Sequence, residues 1–241
     1  MQSTLLNKIR LTHYFIGLLF FFSIIKLFTT GMKFESGALT LFSVNSFLYG
    51  FYIAPILSAQ KSRIEELHRI VRSEANAIFA MVLSLKKLPP DLRNELQGHF
   101  TTYLKQLIHA KKANGGESQY EGLISFCLSY KGESQDQIDK LLDKLVANQQ
   151  NRTNFSMQMS NKVFSNEWMI MLVLFSVTLS FVLFLDAGNS LIYQILAALL
   201  CTGLSMLLVI LVKMSTLTHK KAKQMWDPYI KLVDSHYYRI D

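Results

Sequence analysis

The chain has 241 residues, 50% of them hydrophobic and 17% charged, with a formal net charge of +8 and a mean hydropathy of +0.22. That apolar surplus excludes an ordinary soluble domain. Two cysteines, Cys127 and Cys201, exclude a disulfide scaffold and read as small apolar residues.

The apolar residues cluster in four stretches, 11–30, 37–59, 168–185 and 191–212, each close to the roughly 20 residues that carry a helix across a hydrocarbon core. An integral membrane protein with four transmembrane helices follows, with the lipid bilayer as its first partner. Lys8 and Arg10 precede the first stretch, as in a signal peptide, but LFTTGMKFES after it offers no small-residue cleavage site, so a retained anchor is expected. Lys26 lies near the outer end of this span, where its stem can snorkel outward.

The second stretch contains NSFLYGFYIAPILSAQ, too polar to be ringed by lipid. Ser46, Gly50, Ala54 and Ser58 recur every four residues, forming a small-residue face that lets another helix approach closely. Asn45, Tyr49, Tyr52 and Ile56, with Gln60, form an adjacent stripe with polar tips. An asparagine costs several kcal/mol in lipid, so this stripe faces either neighbouring helices or water, and its members are the pore-lining candidates. Pro55 removes a helical hydrogen bond and is expected to bend the span.

Residues 60–166 are patterned as helix throughout. Leu67, Ile70, Val71, Ile78, Val82 and Leu85 recur at three and four, giving an amphipathic helix from residue 61 that Pro89 and Pro90 stop. Glu74 lies beside this stripe and needs a partner, with Arg72, Lys86 or a residue of another helix as candidates. Leu92, Leu96, Phe100, Tyr103 and Leu107 mark a second helix, ending before AKKANGGESQ, and YEGLISFCLSY a short third. Ser134 and Gln137 form a capping-box pattern, opening a fourth helix with Ile138, Leu141, Leu142 and Leu145 on one face. No proline or glycine occurs from 134 to 186, so one long helix, or two joined with little bend, is expected to run into the third span.

Lysine and arginine flank the spans on one side: Lys8 and Arg10, then Lys61, Arg63, Arg69 and Arg72, then Arg152 and Lys162, then Lys213, Lys220, Lys221 and Lys223. The turn FLDAGNSLIY has none, and TTGMKFESG has only Lys33. The positive-inside rule therefore places both termini and the middle segment in the cytoplasm. The expected division is a transmembrane hairpin at 1–59, a cytoplasmic helical bundle at 60–166, a second transmembrane hairpin at 167–213 and a cytoplasmic tail at 214–241.

Catalytic signatures are missing. The six histidines are not at metal-ligand spacing, and there is no HExxH, Walker-type loop or GxSxG. Asp136, Asp139 and Asp143 interleave with Lys140 and Lys144 as a salt-bridged face rather than a cation site. No enzyme activity, metal, cofactor or nucleic-acid partner is expected.

Within residues 64–108 stand Glu74, Ala75, Asn76 and Ala77, then Leu88, Pro89, Arg93 and Tyr103, with Arg152 and Trp168, and Gly50 and Phe51, elsewhere in the chain. In this pattern, most specific in the first block, the chain resembles the bacterial bestrophin-like membrane proteins. The E-W pair that usually follows the tyrosine is absent after Tyr103. The resemblance implies an all-α, four-span subunit of a homo-oligomer, with a pentamer as the expected form, in a bacterial cytoplasmic membrane. It also implies a channel for small inorganic ions such as chloride, with a pore lined by the second span. A non-conducting scaffold or sensor that binds a cytoplasmic partner is the alternative. A proton-driven motor stator ranks below both, because spans three and four lack an interior acidic residue and a proline.

Overall fold

A computed structural model of the chain describes residues 9–29, 31–112, 115–186 and 190–235. Lys8, His236 and part of the turn FLDAGNSLIY lie outside the described residues. The described residues are helical and contain no strand: α1 (Leu11–Phe28), α2 (Ser36–Leu85), α3 (Pro90–Ala110), α4 (Glu117–Ser129), α5 (Gln135–Ser160), α6 (Ser165–Phe184), α7 (Leu191–Ser215), α8 (Lys220–Lys223), a 3-10 turn (Gln224–Trp226) and α9 (Asp227–Asp234). Four apolar stretches long enough to cross a membrane lie in α1, α2, α6 and α7. The chain forms two compact units, one of residues 1–62 and 162–220, the other of residues 63–161 and 221–241.

Three features refine the sequence reading. The second span and the helix expected from residue 61 are one continuous helix, α2, with Pro55 inside it. Of the two forms expected for the segment that enters the third span, one long helix or two joined helices, the structure has two, α5 and α6. Arg63, buried on α2, donates to the carbonyls of Gln158 (2.7 Å) and Met159 (2.9 Å), satisfying the exposed C-terminal end of α5. Glu167 then accepts from the Phe164 backbone N–H at 3.0 Å, opening α6. Side-chain capping thus breaks the helix with no glycine or proline. The third is the C-terminal segment, expected as a cytoplasmic tail. It folds into the second unit, burying Ala222, Met225, Trp226, Tyr229 and Leu232.

In the first unit, Phe22 of α1, Val182 of α6 and Ala198 and Cys201 of α7 form one core cluster. Tyr49 and Ile53 of α2, Val163, Met171 of α6 and Leu211 of α7 form another. Outward faces are apolar as well: Phe20 and Phe51 are each about 70% exposed, as befits surface whose solvent is lipid rather than water. Lys26 does not snorkel. It is 5% exposed and donates to the carbonyls of Leu183 (2.9 Å) and Leu185 (2.6 Å), capping the end of α6.

Nearby, the Met32 N–H donates to the Phe184 carbonyl (2.7 Å) and the Asp186 N–H to the Met32 carbonyl (3.1 Å), joining the two interhelical turns. Gly31 makes that approach possible, because a Cβ there would sit 2.4 Å from the Asp186 Cα.

In the second unit the expected stripe of α2 is buried, with Leu67, Val71, Ile78 and Val82 inaccessible, and so are Leu96, Phe100 and Leu104 of α3. Pro90 starts α3 at its first turn, where its missing N–H costs nothing. Ser134 precedes α5 as expected but makes no side-chain cap, its backbone carbonyl accepting from Gln137 and Ile138 instead.

Gly31→Ala is expected to cost about 1–3 kcal/mol through overpacking, lowering the unfolding temperature in detergent. Gly17→Ala, where a Cβ meets nothing within 4 Å, is expected to leave it unchanged or raise it.

Candidate functional site

Two constellations stand out, one on each part of α2. Within the span, Asn45 donates to the Leu174 carbonyl (3.0 Å) and to Thr178 Oγ1 (2.8 Å) on α6. Thr178 in turn donates to the Leu174 carbonyl at 2.8 Å, so the polar atoms satisfy one another inside the unit. Tyr49, 2% exposed, lies in the cluster with Met171 and Leu211 and directs its hydroxyl at the Leu204 carbonyl, 3.5 Å away. Tyr52 and Ile56 are half-buried against that same cluster, as is Trp168.

Within the chain, Asn45 and Tyr49 thus direct their polar groups at α6 and α7. Their polar groups need partners in a low-dielectric setting, and α6 and α7 of the same chain provide them. The small-residue face shows the opposite. Gly50, Ala54 and Ser58 are exposed, whereas Ser46 is half-buried with its hydroxyl oxygen out of reach of solvent; a Cβ added at Gly50 meets nothing within 4 Å. Phe47 and Phe51 flank this face, each 70% exposed, with near-parallel rings 6.1 Å apart.

The second constellation surrounds Glu74, which is 1% exposed. Tyr103 of α3 donates to its Oε1, and Tyr229 of α9 donates to its Oε2 at 2.7 Å. Arg152 of α5 donates to the Tyr103 hydroxyl and sits 3.7 Å from Glu74 Oε1, with Glu117 at 3.8 Å on its other side. Its guanidinium lies over the rings of Tyr103 (5.0 Å) and Tyr120 (4.5 Å). Tyr120 donates to the Leu145 carbonyl at 2.8 Å and accepts from Asn148 at 3.1 Å. Gly116, at φ 73°, leaves room for the Tyr103 ring, 2.7 Å from where a Cβ would stand.

Three of the family-motif residues, Glu74, Tyr103 and Arg152, therefore form one buried ionic cluster. Asn76 and Pro89 are exposed, Arg93 is half-buried on α3, and Trp168 belongs to the first unit. Arg72 and Lys86, two candidate partners for Glu74, are exposed, so the third candidate, residues of other helices, holds. Tyr120, Asn148 and Tyr229 were not singled out in the sequence. Tyr229 had only a faint signal, an aromatic residue within WDPYIKLV where apolar residues recur at helical spacing.

Burial, then the Glu74 carboxylate, pushes the Tyr103 and Tyr229 phenols well above the usual tyrosine range, and burial pushes Tyr120 to about 12. Burial works against the Arg152 charge, but Tyr103, Glu74, Glu117 and Tyr120 outweigh it and raise its pKa. The cluster can hold one carboxylate and one guanidinium with neutral phenols between them. It joins five helices, α2, α3, α4, α5 and α9.

Taken with the four apolar spans, these features define a polytopic helical membrane protein whose second span continues into a helical unit organised around a buried carboxylate. A family model described as the Bestrophin-like domain matches residues 30–228. The chain belongs to the bestrophin-like family. Comparison with curated proteins and with solved structures finds no significant match.

Glu74→Ala is expected to cost about 3–5 kcal/mol, because Arg152 is left buried with only the part-exposed Glu117 as counter-ion. Tyr229→Phe is expected to cost about 1.5–3 kcal/mol, the scale of a hydrogen bond to a charge. Chemical denaturation of the two single variants and the double variant should show strong non-additivity; simple additivity would mean that the two residues do not act together.

A pH dependence follows too. Unfolded phenols ionise near pH 10, whereas these three remain protonated in the folded state. Above that pH the unfolded chain holds fewer protons, so stability falls as pH rises, by up to about 1.4 kcal/mol per pH unit for each phenol. Tyr120→Phe should flatten the decline between pH values of about 10 and 11.5, as read by thermal unfolding.

Proposed function

We propose that the chain assembles as a homo-oligomer, a pentamer being the expected form, into a channel that passes small inorganic ions and favours anions along the outward face of α2. Membership of the bestrophin-like family supports the class of function. The observation that carries the route is the division of α2 into two faces: Asn45 and Tyr49 are used within the chain, while Phe47, Gly50, Phe51, Ala54 and Ser58 are left open. Small residues let copies of the helix approach closely. The paired rings of Phe47 and Phe51 supply an aromatic constriction at which an ion sheds part of its hydration.

The exposed Arg72 further along the helix, with the net charge of +8, raises the local concentration of anions. The uneven distribution of lysine and arginine supports placing the second unit and both ends on the cytoplasmic side of a bacterial membrane. On this reading the protein has no enzymatic activity and takes no cofactor.

Planar bilayers containing the purified protein should show chloride conductance. Phe51→Ala should change unitary conductance by several-fold, because it removes the constriction. Tyr49→Ala should lower thermal stability by about 3–5 kcal/mol through loss of a buried aromatic and leave unitary conductance unaltered. Silent bilayers across voltages and anions would contradict the proposal and favour a non-conducting scaffold.

A further inference from the structure

The second unit has a cleft that neither the Glu74 cluster nor the ion path uses. It lies between α2, beyond the spanning part, and the segment that carries α9, and it encloses about 320 Å³, at the lower end of the roughly 300–1,000 Å³ typical of ligand pockets. Two contacts hold its walls together. The Tyr229 hydroxyl donates to Glu74 Oε2 at 2.7 Å, and His68 Nε2 donates to the Lys221 carbonyl, also at 2.7 Å.

The lining is predominantly cationic. His68 and Arg72 stand one turn apart on α2, Asp227 and Lys231 one turn apart on α9, with Gln224 and Pro228 completing the wall. Arg72 and Lys231 are exposed, and among the described residues neither has a carboxylate at ion-pair distance. Asp227 is thus a single carboxylate in a cleft with two cations that it does not neutralise. Like charges turned into one cleft repel each other until an anion enters between them. A guanidinium is suited to that anion, because it forks onto two oxygens of a phosphate.

Asp227 narrows the class of anion. A carboxylate repels bare anionic oxygens but accepts from an anion that keeps a proton. Because a carbonyl only accepts, His68 Nε2 carries the ring proton, which leaves Nδ1 of the neutral ring as a second acceptor. Inorganic phosphate keeps an O–H at neutral pH, whereas sulfate and the phosphodiester of a lipid headgroup do not.

We infer that this cleft binds inorganic phosphate, with Arg72 and Lys231 taking its charged oxygens and Asp227 accepting from its O–H. Binding there needs no current, so it stands apart from conduction.

Equilibrium dialysis of radiolabelled phosphate against the full chain, purified in detergent, tests this assignment. Binding should saturate at one phosphate per chain, and sulfate should compete roughly ten-fold or more less well, the scale of a hydrogen bond to a charged group. Asp227→Asn should bring the two anions to parity. Arg72→Gln should weaken phosphate binding roughly ten-fold, and Lys231→Gln on the opposite wall should match it, which tells loss of the site from a folding defect in one variant. Arg69→Gln removes the same charge from a residue paired with Glu66 outside the cleft and should change neither affinity.

The absence of saturable binding, or equal competition by sulfate in the unaltered protein, would overturn the assignment. A loss in Arg69→Gln as large as that in Arg72→Gln would do so too, by reducing the effect to diffuse attraction. Displacement of phosphate by a short-chain, monomeric phosphatidylglycerol would also overturn it, by giving the cleft to a lipid headgroup.

Discussion

Glu74 sits on a helix that begins as a membrane span, and it carries a charge into an interior that water does not reach. Such a group is tolerated only when hydrogen bonds and an opposite charge compensate its lost hydration. α2 itself offers neither: the basic residues near Glu74 along the helix point outward. The compensation comes from three other elements, with Tyr103 on α3, Arg152 on α5 and Tyr229 on α9 converging on one carboxylate. A single buried charge therefore dictates which helices surround α2 in the second unit, and it explains why the C-terminal segment is part of that unit.

The same economy governs the spanning part of α2. A polar group in a membrane helix is satisfied by another helix or by a wet path, and the same atoms cannot serve both at once. Asn45 and Tyr49 are committed to α6 and α7, which leaves the small and aromatic residues as the free face. α2 thus holds the first unit together with one side and presents the other to whatever lies outside the subunit. Because α2 is a single helix contributing to both units, the Glu74 cluster and the open face lie on one covalent element, with Ser58 and Glu74 their nearest members.

Periodicity made much of this legible beforehand. The stripe of Leu67, Val71, Ile78 and Val82 follows from spacing alone, and Pro89 and Pro90 mark the start of α3 because proline is excluded from helix interiors but welcome in a first turn. Whether one helix or two enters the third span was hidden, because it depends on Arg63, nearly 100 residues earlier, reaching the carbonyls of Gln158 and Met159. No local signal encodes a cap supplied by a distant helix. The orientation of the Asn45 stripe was hidden for a related reason: a sequence shows that a polar side chain needs a partner, but not which partner it takes. Tyr229 escaped notice because a basic, apparently solvated run precedes it.

Accessibility along α2 in the assembled, reconstituted protein tests the division of its faces most directly. Single cysteines at Phe51, Ala54 and Tyr49 would be treated with a charged, membrane-impermeant thiol reagent, against a background in which Cys127 and Cys201 are both buried. Rapid modification at Phe51→Cys and Ala54→Cys that blocks current, with Tyr49→Cys protected, is the result the account predicts. Modification of Tyr49→Cys with Phe51→Cys and Ala54→Cys inert would contradict it.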